Sequence, residues 1–74
     1  MENYKGFIIF GGVSKDEQGR WCSYGLVCMR GPRTILQVQR IEGTTFSGKE
    51  EAEQHGIELC KLWIDEHRSG QGTP

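Results

Sequence analysis

Ser47-Gly-Lys-Glu-Glu-Ala-Glu-Gln-His-Gly-Ile-Glu-Leu-Cys-Lys-Leu-Trp-Ile-Asp-Glu-His67 is the segment of this chain with a sustained helical period. At about 100° per residue, Ala52, Gly56, Leu59, Cys60 and Trp63 share one stripe, widened by Ile64, while Glu51, Glu58, Lys61 and Asp65 lie away from it. Ser47 and Glu50 have the spacing of a capping box, in which the two side chains satisfy opposite orphan amides, and Phe46 stands just before it. The segment therefore predicts an amphipathic helix with one dry side. Gly56 in the dry stripe costs about 1 kcal/mol of helix propensity relative to alanine, and close approach of the helix backbone to a sheet is the gain that offsets it.

Upstream, the composition changes to strand formers. Residues 4–13, Tyr-Lys-Gly-Phe-Ile-Ile-Phe-Gly-Gly-Val, are aromatic and β-branched and predict a first strand, with Gly6, Gly11 and Gly12 as irregularities or a bulge. Residues 14–20 hold no apolar side chain and predict a reversal. A second strand follows over 21–30, a turn at Gly31-Pro32, and a third strand over 34–41. Helix and strands match in length at roughly 30 Å. The expected fold is α+β, a three-stranded antiparallel meander with one C-terminal helix packed on one face, occupying residues 1–67 and followed by a mobile tail at 68–74.

Successive side chains of a strand point to opposite faces, so Cys22, Tyr24, Leu26 and Cys28 form one set and Trp21, Ser23, Gly25, Val27 and Met29 the other. The first set reads as the core face. One helix covers one side of a sheet, which leaves Trp21, Val27, Met29, Ile35 and Ile41 as the expected interaction face; contiguous apolar surface of this kind marks interaction sites, and homodimerisation is its simplest use. A sheet edge is the other expected interaction surface.

Charge divides the chain. Residues 1–45 hold six Lys/Arg against four Asp/Glu, or +2, and residues 46–74 hold three against six, or −3. Arg20, Arg30, Arg33 and Arg40, with Trp21 beside them, are the candidate contacts in an alternative reading as a weak nucleic-acid-binding module. The net charge of −1 and a pI near 6.1 weigh against it.

With 74 residues the chain builds one small core and no separate cofactor lobe. His55 and His67 have no nucleophile at a productive spacing, and no glycine pattern of a phosphate loop is present, so no enzyme, cofactor or small-molecule substrate is expected. Cys22, Cys28 and Cys60 lack metal-ligand spacing and read as reduced buried thiols, the alternatives being a metal site with a histidine, a disulfide or a reactive thiol. No run approaches a membrane span and no signal-peptide pattern opens the chain, which makes the cytoplasm the expected location.

The order Tyr4-Lys-Gly-Phe-Ile-Ile, Arg20-Trp21, a third strand, Phe46-Ser-Gly-Lys-Glu-Glu-Ala52 and Leu62-Trp-Ile-Asp65 resembles small uncharacterised bacterial β-β-β-α proteins. That resemblance implies a bacterial origin and the fold above, without an activity. The layout is also similar to the sheet and last helix of double-stranded-RNA-binding domains, but their first helix and basic cluster are missing. HicB-type antitoxins likewise open a helix with a Glu-Glu-Ala-like run after three strands, which implies a toxin-neutralising protein, although Cys28-Met-Arg-Gly-Pro-Arg33 stands where their proline-rich segment would be.

Overall fold

The computed structural model describes residues 1–72, with side chains through residue 67; the tail expected at 68–74 lies outside the described residues, apart from helical backbone that continues to Gly72. The chain forms β1 (Glu2–Tyr4), β2 (Phe7–Lys15), β3 (Trp21–Arg30), β4 (Ile35–Phe46) and α1 (Lys49–Gly72). The fold is α+β, and the four strands lie in the order β1-β2-β3-β4, each pair antiparallel. The expected meander is therefore present with one strand more than expected.

The extra strand comes from a turn inside the segment read as continuous. Lys5 and Gly6 both have positive φ, 48° and 89°, the signature of a two-residue hairpin loop whose twist matches the flanking strands. β4 is longer than expected because it continues through Gly43 and Thr44. Opposite β3 its register shifts twice, between Cys22 and Tyr24 and between Val27 and Cys28, and each shift puts an extra residue into β4.

The helix also starts differently from the capping-box expectation. The Ala52 amide donates to the Gly48 carbonyl, which makes Gly48 the N-cap, and among the described residues the Ser47 hydroxyl makes no hydrogen bond. Phe46 packs against the His55 ring, with centroids 5.0 Å apart, and fixes the approach to the helix.

Three glycines set the distance between the layers. Gly11 and Gly25 are cross-strand partners, and a Cβ on Gly25 would meet the Gly56 carbonyl and the Cys60 sulfur. A Cβ on Gly56 would collide with the Tyr24 carbonyl and come 3.1 Å from the Gly11 Cα. The helix backbone rests on a glycine pair, and this is the compensation that Gly56 requires. Beyond it lies the core of Ile9, Val27, Cys60 and Ile64, with Tyr4, Phe7, Ile41, Ile57 and Trp63 packed around it.

Candidate functional site

The face of β3 that meets the helix is the reverse of the sequence expectation. Val27 is fully buried in the core, Ser23 is 3% exposed, and Gly25 lies under the helix. Tyr24, Leu26 and Cys28 are on the other side, where the Tyr24 ring occupies the space above Gly12 and stacks on the Arg40 guanidinium 4.0 Å away. The expected interaction face is therefore dispersed. Val27 and Ile41 are under the helix, and Trp21 is half-buried at the other end of the same side. Trp21 pairs in register with Phe46, and the Lys15 and Lys49 ammoniums lie 4.8 and 5.8 Å from its ring. Only Met29 and Ile35 are exposed, and they lie on opposite sides of the sheet.

The side without a helix is more closed than an open sheet would be. Ile8 and Cys28, register partners there, are buried, and Phe10, Tyr24 and Leu26 are half-buried.

Exposed apolar side chains collect instead at the end of the sheet formed by the β3–β4 hairpin. Met29 is 48% exposed, Leu36 54%, Ile35 45% and Val38 40%. Met29 and Leu36 are register partners on the helix side, since Met29 stands two residues beyond Val27, and a Leu36 methyl lies 3.5 Å from where a Gly31 Cβ would be. They are exposed because of the path of α1. The helix begins over β4, where Leu59 and His55 approach Gly43, and ends over β1, where Tyr4 and Lys5 bind Asp65 and Lys61 binds Glu2. It therefore moves away from β4 as it nears the hairpin end.

Leu62, 58% exposed, borders the same corner from the helix. It follows His55 by seven residues and so projects from the flank of α1 that faces β4. Glu58 and Glu66, one turn before and after it, flank it. Sequence reasoning missed Leu36, Val38 and Leu62. The signal for Leu62 was present, as an apolar residue on the helix stripe that otherwise carries Glu58 and Glu66.

The four arginines do not form one patch. Arg20 is held by Asp16 in the β2–β3 loop, and Arg40 pairs with Glu42 at 2.7 Å. Asp16 is held below the usual carboxylate range, chiefly by the Arg20 backbone amide, and the Glu42 carboxylate raises the Arg40 guanidinium. Arg30 and Arg33 sit at the hairpin tip around a shallow concavity completed by Gly31, Pro32, Thr34 and Ile35, and neither has an ion-pair partner among the described residues. Arg20 immediately precedes β3 and Arg30 ends it, which sets them about 30 Å apart at 3.3 Å per residue.

Ser23 and His55 flank Gly43, yet the Ser23 hydroxyl is buried with no hydrogen-bond partner, so no base activates it. Among the described residues no group of three His, Cys, Asp or Glu side chains is placed to hold a metal, and the three cysteines are free. No described helix is long and apolar enough to cross a membrane. No protein-family model, curated protein or solved structure matches the chain.

Proposed function

We propose that this chain is a non-enzymatic cytoplasmic interaction domain that binds protein through the hairpin end of its sheet. The observation that supports the reading is the concentration of exposed apolar side chains at the hairpin end, Met29, Leu36 and Leu62 at a corner that the helix leaves bare, with Val38 further along β4 and Ile35 on the reverse side. Burying such groups inside the domain stabilises it and exposing them does not, so a cluster of them at one place calls for a partner. The outer edge of β4 runs through the same corner and offers unpaired backbone groups to that partner.

The alternative, nucleic-acid binding, rests on the free arginines Arg30 and Arg33 at the tip of the same hairpin, and one experiment separates the two. A photoreactive benzophenone side chain replaces Leu36 in cells producing the protein, with a matched replacement of Ser14 as a remote control. The expected result is a protein adduct from position 36, absent from position 14 and lost when Met29→Lys is added. Nucleic-acid adducts from position 36 would replace this reading with the alternative, and no adduct would refute it.

A further inference from the structure

We infer that the partner at this corner is a second copy of the same chain, docked about a two-fold axis so that the hairpin tip of each copy meets the Leu62 flank of the other. The inference rests on the interaction-domain reading above and names its partner. Charge supplies the argument. Residues 18–41 contain four arginines and no carboxylate. Two of the four are neutralised locally, Arg20 by Asp16 and Arg40 by Glu42, which leaves Arg30 and Arg33, at the tip of the hairpin, without an ion-pair partner among the described residues.

The helix side of the corner has the opposite sign. Glu58 and Glu66 flank Leu62, and Lys61, three residues after Glu58, is bound to Glu2 on β1. Glu58 accepts a hydrogen bond from Gln54 and lies within the field of the Lys61 ammonium, and neither Glu58 nor Glu66 has an ion-pair partner among the described residues. Met29, Leu36 and Leu62 thus lie between two cations at the hairpin tip and two anions on the helix flank, and none of the four has an ion-pair partner among the described residues. Such a surface is complementary to itself, and a two-fold operation brings each cation pair onto the other copy's anion pair while Met29, Leu36 and Leu62 of both copies close on one another. A head-to-tail arrangement uses each pair of surfaces once and propagates; the two-fold uses both at once and closes.

Size sets the expected strength. Three half-exposed apolar side chains fall well short of the roughly 800 Å² per partner of a standard interface, so the dimer is weak, with a dissociation constant in the micromolar range or above.

The test is analytical ultracentrifugation of the full chain from about 1 µM to about 1 mM, at low and high salt. Arg30→Glu with Arg33→Glu is one variant, Glu58→Arg with Glu66→Arg a second, and the combined fourfold variant the third. All four side chains are exposed, and circular dichroism checks that each variant folds. The expected result is a parent dimer that weakens with salt, at least about tenfold weaker association in each charge reversal, and recovery to within about threefold in the combined variant. A parent that is monomeric throughout, a dimer that ignores the reversals, or a combined variant that fails to recover overturns the inference. Failure of the two readings is distinguishable: a monomeric parent that still gives protein adducts from position 36 removes the self-partner alone, whereas the loss of those adducts removes both.

Discussion

Replacing Gly56 with alanine sets two effects of known sign against each other. In a helix interior the change gains about 1 kcal/mol of propensity, because glycine loses more backbone freedom on folding. Here the new methyl would collide with the Tyr24 carbonyl and crowd the Gly11 Cα, and both are backbone atoms of central strands that no rotamer change can move. The helix must retreat, and a gap of 0.5–1 Å forfeits about a quarter to a half of each dispersion contact that Cys60 and Ile64 make with the sheet. Overpacking of this kind costs about 3 kcal/mol, which leaves a net loss of about 2 kcal/mol. For a domain of this size that is a fall in Tm of about 8–16 °C. Thermal and urea unfolding followed by circular dichroism measure it, with an unchanged urea slope as the check that the unfolding reaction is the same. Gly48→Ala is the comparison, because its methyl meets only the flexible end of Glu51 and its cost is the N-cap preference for glycine over alanine, about 1 kcal/mol or less, which lowers Tm by no more than about 8 °C. A Gly56→Ala protein more stable than the parent would refute the close-approach reasoning.

Three further outcomes are expected. Val27→Lys should unfold the domain or cost about 4 kcal/mol or more, while Met29→Lys, two residues along the same face, should stay within about 0.5 kcal/mol, as denaturant titration will show. The Asp65 carboxyl is held below its ordinary value of 3.8, first by the Lys5 ammonium and then by the Tyr4 hydroxyl. A carboxyl depressed on folding stabilises above its ordinary pKa, and that contribution is lost as pH falls through the depressed value, so Asp65→Asn should flatten the stability profile on the acid side below about pH 4 and leave its shape near neutrality unchanged. Burial pushes the Cys28 and Cys60 thiols up; a thiol-specific disulfide reagent should therefore modify half-buried Cys22 in the native protein and reach the other two only on unfolding, and three fast thiols would contradict the packing.

The helix was legible because its period was complete. Ala52, Gly56, Cys60 and Ile64 are all buried, as the stripe required. The face of β3 was misread because the two sets of side chains were compared by hydrophobicity. Cys22, Tyr24, Leu26 and Cys28 look more apolar than a set containing Ser23 and Gly25, yet a helix whose backbone sits this close selects for small volume. Gly56 announced that constraint from the helix, and Gly25 and Gly11 were its answer on the sheet. The β1–β2 turn escaped notice because Lys5, a residue that rarely takes positive φ, occupies one of its two positions. β4 was cut short because its bulges interrupt the alternation by which a strand is recognised.

The diagonal path of α1 leaves two corners on its side of the sheet, and the sequence treats them differently. At the β2–β3 loop end, Trp21 is screened by the ammoniums of Lys15 and Lys49, with Phe46 as its register partner and His55 packed on Phe46. An aromatic ring covered by cations from its own chain is already partnered. The hairpin end has no equivalent closure: Met29 and Leu36 stay about half exposed, and the nearby cations Arg30 and Arg33 pair with nothing among the described residues. Two lysines would have screened this corner as they do the other. The chain places arginines there, whose planar guanidinium suits a carboxylate on a facing surface better than a lysine ammonium does. The contrast between a sealed aromatic corner and an unsealed aliphatic one is what moves the candidate interface from Trp21 to the hairpin.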